Sequence, residues 1–452
     1  MISVPNHRQP LSGNSRWLIL ISICCITACG AGTHVSSTPA TTEITPIVVP
    51  EQPKEKPFDS ITKKLEPVDI DNNPSQTIQQ PSVFPAGSMI NIAVILPFNL
   101  DLIPLDGYRD DTTKTLEGDP KNAIEFYIGC KLAKESFDNP NLTANVYFLD
   151  DKNDSISAFN VLKNKPFPNV QYIIGPMSQG SLRVVAEYGK VKHIPVISPF
   201  ENSASVTKDN PYYFNATPTA KIQYGFLIDE ITAAFPGKTL EIIYDETDST
   251  LENIAFLKNI LQQKSAYPNP TIATKYYKLE VTDDIAKAMT QTDTLSNRVV
   301  LIYSDQENYI KSVLAKLRPV KNKLSIYTSS VVRNNKNLTD LKYPHTLFIA
   351  YPYYSAELKT KDFAAWYEET YHKEPSEIMY QGYDVMNMVF DQISQNRSFS
   401  EVSQPKYYTN ILQTRFRFIP ALNKNGGIDY YDNNYVYLFK YFNGIFIKVK
   451  SN

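Results

Sequence analysis

The sequence predicts an α/β protein of two doubly wound lobes carried on an extended N-terminal tether. Three observations lead there: short runs rich in β-branched residues recur from Ile90 onward, helical patterns lie between most of them, and both are too numerous for one doubly wound domain. A chain of 452 residues that is 42% hydrophobic can bury a sizeable core. Its 45 basic and 47 acidic side chains leave a net charge of -2, which offers no broad field to hold a nucleic acid.

The first element is an export signal. His7, Arg8 and Arg16 precede an apolar run from Trp17 to Ile26, followed by the small residues Thr27 and Ala28 and then Cys29. The run is shorter than the roughly 20 residues that span a bilayer as a helix, so a cleaved signal over residues 1–28 is expected rather than a permanent span. The segment Ile26-Thr27-Ala28-Cys29-Gly30 resembles the bacterial lipobox, and that resemblance implies lipidation of Cys29. Resemblance to known lipoprotein sorting signals, with Gly30 rather than Asp after the cysteine, implies the outer membrane, with the protein facing the periplasm. With Cys24 and Cys25 leaving in the signal, Cys130 remains as the one thiol and reads as a small core residue.

Residues 29–87 are rich in Pro, Ser and Thr without a sustained apolar period, and read as a disordered tether with an r.m.s. span on the order of 40 Å. The globular part opens at Ile90–Pro97, an almost wholly apolar run suited to a strand buried on both faces. A helical pattern follows Asp119-Pro120, with Ile124, Tyr127, Ile128, Cys130, Leu132 and Ala133 on or near one face. Further strands are expected at Ala144–Leu149, Val170–Ile174, Pro195–Ser198, Leu240–Tyr244, Arg298–Tyr303, Leu324–Tyr327 and Leu347–Tyr351. Helices are expected at Ser181–Lys190, Ala220–Ala234, Leu251–Gln263, Asp284–Met289, Asn308–Leu317, Phe363–Tyr371 and Tyr383–Ser394. Ile428–Val449 reads as two aromatic-rich strands around Asn443-Gly444.

No catalytic set emerges. His193 and His345 lack metal-ligand spacing, there is no P-loop, nucleophile elbow or dinucleotide fingerprint, and the pairs Asp150-Asp151 and Asp283-Asp284 sit where turns and helix caps form. A protein that is not an enzyme, with no cofactor and no metal, is the expectation. The informative segment is Ile173–Ser181, which places a strand end, a tight loop and a helix N-terminus in succession; backbone N–H groups at such a junction suit a carboxylate, although an ordinary capped turn has the same pattern. A second strand end follows at Val196–Ser203.

From about Ile90 to Asn452 the chain resembles type I periplasmic binding proteins of the branched-chain amino-acid receptor class. The markers are the strand Ile92–Pro97, the helix Phe126–Ala133, the Ile174-Gly175-Pro176 loop, His193–Pro199, Tyr212-Tyr213-Phe214 before Pro218-Thr219, Gly382-Tyr383-Asp384, and Phe416-Arg417-Phe418 before Gly426-Gly427. The resemblance implies two α/β lobes joined by three crossovers that close on a small ligand, with residues 90–211 plus 344–400 in lobe 1 and 212–343 plus 401–452 in lobe 2. It also implies a ligand site built from Ser178, Gln179, Gly180, Phe200 and Asn202 in lobe 1 and from Asp245, Asp248, Ser304, Asp305, Thr328 and Ser329 in lobe 2. Thr328 and Ser329 are neutral where the family often places an acid for the ligand ammonium, which leaves Asp305 or Glu201 to supply that charge.

The resulting expectation is a lipid-anchored, non-enzymatic binding protein for an amino acid, peptide or related metabolite, serving ABC-type uptake through a permease, or sensing. The alternative is an envelope regulator of the same fold that binds a protein such as a peptidoglycan synthase.

Overall fold

The computed structural model describes residues 84–85, 87–102, 117–163, 169–200, 206–245, 254–255, 257–262, 274–278, 298–304, 306–321, 323–334, 343–395, 397, 408–442 and 444–451. The chain separates into two units, Met1–Glu55 and Lys56–Asn452, and every described residue belongs to the second. Cys29, the export segment, nearly all of the tether and the expected helix Asp284–Met289 lie outside the described residues.

In chain order the strands are β1 (Ser88–Leu96), β2 (Leu142–Asp150), β3 (Tyr172–Ile174), β4 (Val196–Ser198), β5 (Tyr213–Asn215), β6 (Leu240–Tyr244), β7 (Thr274–Lys278), β8 (Arg298–Tyr303), β9 (Leu324–Thr328), β10 (Thr346–Tyr351), β11 (Phe418–Leu422), β12 (Ile428–Asn433), β13 (Tyr437–Phe442) and β14 (Ile445–Ser451). The main helices are α1 (Gly118–Ser136), α2 (Ser155–Lys163), α3 (Gln179–Lys192), α4 (Ala220–Ala234), α5 (Glu307–Leu317), α6 (Leu358–Tyr371) and α7 (Glu377–Ser394).

The strands form two seven-stranded sheets, ordered β11-β12-β5-β4-β3-β1-β2 and β14-β13-β10-β9-β8-β6-β7. Each has a parallel core, β2-β1-β3-β4-β5 or β7-β6-β8-β9-β10, and each ends in an antiparallel pair. The common order places a topological switch point between β1 and β3 in lobe 1 and between β6 and β8 in lobe 2, where α/β folds open their crevices.

Helices cover both faces of each sheet, as the two-sided burial of β1 requires. Ile90, Ile92, Val94 and Leu96 pack toward α1 and α7, while Ala93 and Ile95 pack toward α2 and α3. Each large side chain removed from water in this way contributes about 1.5–3 kcal/mol. In lobe 2, α4 covers one face and α5 the other. Helix α7 is buried nearly all round because it packs along α1 while Met379 and Tyr380 also meet Tyr367 of α6 and Leu412. Its contact with α1 is backbone on backbone: a Cβ on Gly129 would stand 2.0 Å from the Met379 carbonyl oxygen.

The three crossovers fall later in the chain than the resemblance implies. β5 pairs with β4, so the first crossover is residues 216–219 rather than the expected break after Pro211. β10 pairs with β9 and belongs to lobe 2, so the second is residues 352–357 and not the start of a lobe 1 segment at Pro344. β11 and β12 join lobe 1 through β5, which corrects the assignment of all of 401–452 to lobe 2 and leaves residues 434–436 as the third crossover. The stretch Ile428–Val449 is therefore three strands, of which only β13 and β14 form the expected hairpin. Strand pairing partners are chosen by tertiary contact, and a local apolar pattern carries no label for which sheet it will join.

Candidate functional site

The expected lobe 1 half of the site is largely committed to its own scaffold. Ser178 is the N-cap of α3, and its Oγ accepts the Ser181 N–H at 3.4 Å, the ordinary role of a serine before a helix. Gln179 and Gly180 are exposed on the first turn of α3. Phe200 packs against the lobe 1 core, its ring 5.7 Å from that of Phe126, and its carbonyl accepts the Ser198 hydroxyl at 3.2 Å. At the switch point Gly175, with φ of +90°, lets the β3 loop approach β1 so closely that a Cβ there would meet the Ile95 carbonyl oxygen at 2.2 Å.

Beside this loop, Asp151 follows β2 and is wholly buried close to the Ser181 hydroxyl. Burial, only partly offset by the neighbouring Ser181 hydroxyl, pushes its pKa up to about 6.

Lobe 2 is arranged differently at the same edge. Across its switch point the Ser304 hydroxyl, after β8, donates to the carboxylate of Asp245, after β6, and accepts the Gln306 N–H at 2.9 Å. Tyr224 of α4 reaches over to the same place, its hydroxyl donating to the Ser304 carbonyl at 2.9 Å. Next to this cluster is a pocket of about 210 Å³ whose wall includes Ala220, Gln223, Ser304, Thr328, Ser329 and Ala350. Thr328 is fully buried and its Oγ1 makes no hydrogen bond among the described residues.

The pocket also receives the amino end of a 15-residue helix, because Ala220 is the first residue of α4. The N-cap Thr219 does not cap that helix with its side chain; its hydroxyl donates instead to Asp432 Oδ2 at 2.6 Å. The unpaired N–H groups and partial positive charge of a helix start favour an anionic ligand group there.

Of the sequence-predicted residues, Ser304, Thr328 and Ser329 line that pocket, Asp245 is joined to it through its bond with Ser304, and none of Ser178, Gln179, Gly180 or Phe200 lines it. Asn202, Asp248, Asp305 and Glu201 lie outside the described residues. Among the described residues no group of three or more His, Cys, Asp or Glu is placed to hold a metal.

Sequence reading placed the helix start at Ala220 but missed it as part of the site, although Pro218-Thr219-Ala220 follows a strand end as the other candidate loops do. It also missed the buried hinge bonds. Thr217 and Tyr353 share a hydroxyl–hydroxyl bond of 2.8 Å between the first and second crossovers. Asn433, the last residue of β12 before the third crossover, donates to the Ala216 carbonyl of the first crossover at 2.8 Å. Tyr351, Tyr353 and Tyr354 are drawn toward this hinge: Tyr351 and Tyr353 meet edge to face, and the Tyr354 N–H donates to Gln413 O at 3.1 Å.

A sequence model of the family described as periplasmic binding protein matches residues 167–399. Among solved structures, the ABC transporter substrate-binding protein from Desulfitobacterium hafniense in complex with Leu is 16% identical with a TM-score of 0.51, over 80% of this chain and 100% of that one. A branched-chain amino acid ABC transporter periplasmic ligand-binding protein from Burkholderia xenovorans is 12% identical with a TM-score of 0.53, over 80% of this chain and 95% of that one. At such identities the likeness is one of fold. No curated protein matches the chain.

Proposed function

The chain belongs to the periplasmic binding protein family, and on that premise we propose that it is a non-enzymatic receptor that closes its two lobes on a small polar ligand. The ligand class is an amino acid, short peptide or related metabolite, passed to an ABC-type permease or sensed. One observation carries this reading: an uncapped helix start, the hydroxyls of Ser304 and Ser329, and the carboxylate of Asp245 converge at the carboxyl edge of lobe 2. The α4 start takes the ligand carboxylate and Asp245 takes its ammonium, which answers the absence of an acid at Thr328-Ser329. Lobe closure is the functional motion, pivoting on the three crossovers.

A thermal-shift panel of amino acids, di- and tripeptides, sugars and muropeptides on the purified chain tests this. A ligand at a hundredfold excess over its Kd stabilises by about 2.7 kcal/mol. The expected outcome is a saturable shift that Ser329→Ala weakens and Asp245→Asn abolishes for ligands with an ammonium group. Full retention of the shift in both variants would sink the assignment of this pocket.

The family places the protein in the cell envelope, on the periplasmic side. The finer reading is an outer-membrane anchor through lipidated Cys29, and Cys29→Ser should then release the chain into the soluble periplasmic fraction. A regulator that binds a protein such as a peptidoglycan synthase remains the second reading. It is favoured by Ile445, Ile447 and Val449, which are exposed along the edge strand β14. No shift with any compound, together with capture of such a synthase from envelope extracts, would favour it over the receptor.

A further inference from the structure

We propose that the groove between the outer strands of lobe 2 and the amino ends of α6 and α7 is a second ligand site, for an anion carried on an aromatic body. The groove has a volume of about 780 Å³, within the range of about 300–1,000 Å³ usual for small-molecule sites. It lies on the face of the lobe 2 sheet opposite to α4, since Ile349 and Phe439 in its wall belong to the α5-side core whereas Ala350 of the smaller pocket belongs to the α4-side core. The two cavities are therefore separated by the sheet itself.

The chemistry of the wall defines the occupant. Tyr351, Tyr354, Phe439 and Phe446 supply ring faces and edges for an apolar, planar body. Four charged groups surround them. Arg333 lies 3.9 Å from the Tyr351 ring centroid and pairs with Glu377 at 2.9 Å, so these two charges compensate each other. Lys448 lies 3.8 Å from the Tyr354 ring centroid, and neither Lys448 nor Lys361 has a carboxylate within ion-pair distance among the described residues. Two cations thus border an aromatic groove without acidic partners, an arrangement that accepts an anionic group at the rim of a buried ring.

Lys361 and Glu377 belong to lobe 1, and Tyr354, Phe439 and Lys448 to lobe 2 or the crossover beside it. A ligand held by both sets gains or loses contacts as the lobes move, so its binding is linked to closure on the other side of the sheet.

The probe is 8-anilinonaphthalene-1-sulfonate, titrated into the full chain by fluorescence. The expected result is one saturable site that the double variant Lys361→Gln, Lys448→Gln weakens about tenfold or more, the scale of a lost charge-assisted contact. Tyr354→Leu should weaken it too, while Ser329→Ala leaves it unchanged. Lys361→Gln alone, at an exposed helix position, guards against a folding defect in the double variant. Unsaturable fluorescence, full affinity in the lysine variants, or equal loss in Ser329→Ala overturns the proposal. Decanoate displacing the probe as well as naphthalene-1-sulfonate does would overturn its aromatic part.

Discussion

The carboxyl edges of the two sheets have the same strand order and opposite polar economies. In lobe 1, Ser178 caps its own helix, Phe200 packs against the core, Gly175 brings the β3 loop against β1, and Asp151 is buried. In lobe 2, the cap residue of α4 is turned away toward Asp432, and Ser304, Asp245 and Ser329 stand beside a pocket. The difference teaches that a strand end followed by a helix start becomes a candidate site only where a pocket opens beside its polar groups. Lobe 1 is the closely packed platform, and lobe 2 sets Ser304, Thr328 and Ser329 in the wall of a pocket.

The largest effect should come from breaking the platform. Gly129→Ala places a methyl group 2.0 Å from the Met379 carbonyl oxygen and 2.6 Å from the Tyr383 nitrogen, both main-chain atoms that no side-chain rotation can move aside. The expected cost is about 3 kcal/mol or more, at the upper end of overpacking effects. Hydrogen exchange read by mass spectrometry should show protection lost in α1, α7 and β1 and kept in β8 and β9. Equal loss in both lobes would show that the lobes unfold as one body and that the contrast between them is wrong.

A smaller and stabilising effect is expected at Asp151. A carboxyl whose pKa is raised by folding, here from the ordinary 3.8 to about 6, binds its proton more tightly in the folded state. Stability contributed by this group is full at low pH and falls as pH rises from about 4 to 6. At pH 7 the buried charge then costs up to ~3 kcal/mol, and Asp151→Asn should raise the Tm there while changing it little at pH 4. Asp384, also pushed up to about 6 by burial, keeps its own slope in that variant; it differs in accepting the N–H groups of Leu412, Gln413 and Thr414. A variant with unchanged Tm at pH 7 would mean that Asp151 is hydrated in solution, and lobe 1 would be less sealed than described.

Parts of this architecture are legible in the sequence because burial on both faces leaves a local signature. β6 and β8 coincide with their expected limits for that reason, and α4 does so because a helical apolar pattern runs from Ala220 to Ala234. β5 and α2 were not foreseen. Tyr213–Asn215 is only three residues long and ends in Asn, and Ser155–Lys163 is a nine-residue helix that starts in Ser. The site is legible only in halves, since Asp245, Ser304, Thr328 and Ser329 follow apolar runs that mark strand ends. What frees the α4 start is the bond between Thr219 and Asp432, partners 213 positions apart, and no local pattern announces a contact of that range.

The finest discrimination between the two edges is a pair of single-hydroxyl deletions. Ser178→Ala removes an N-cap and should lower stability by about 1 kcal/mol, with the affinity for the cleft ligand unchanged. Ser329→Ala removes a half-buried hydroxyl from the pocket wall that also accepts the Val331 N–H at 3.4 Å, so it should cost the free protein up to about as much as Ser178→Ala while also weakening the ligand by about 1 kcal/mol. Measuring Tm and Kd on both variants separates the two roles. If Ser178→Ala weakens the ligand as well, the α3 start faces the closed cleft and lobe 1 contributes to binding after closure. If only Ser329→Ala does, recognition resides in lobe 2 and closure serves to cover it.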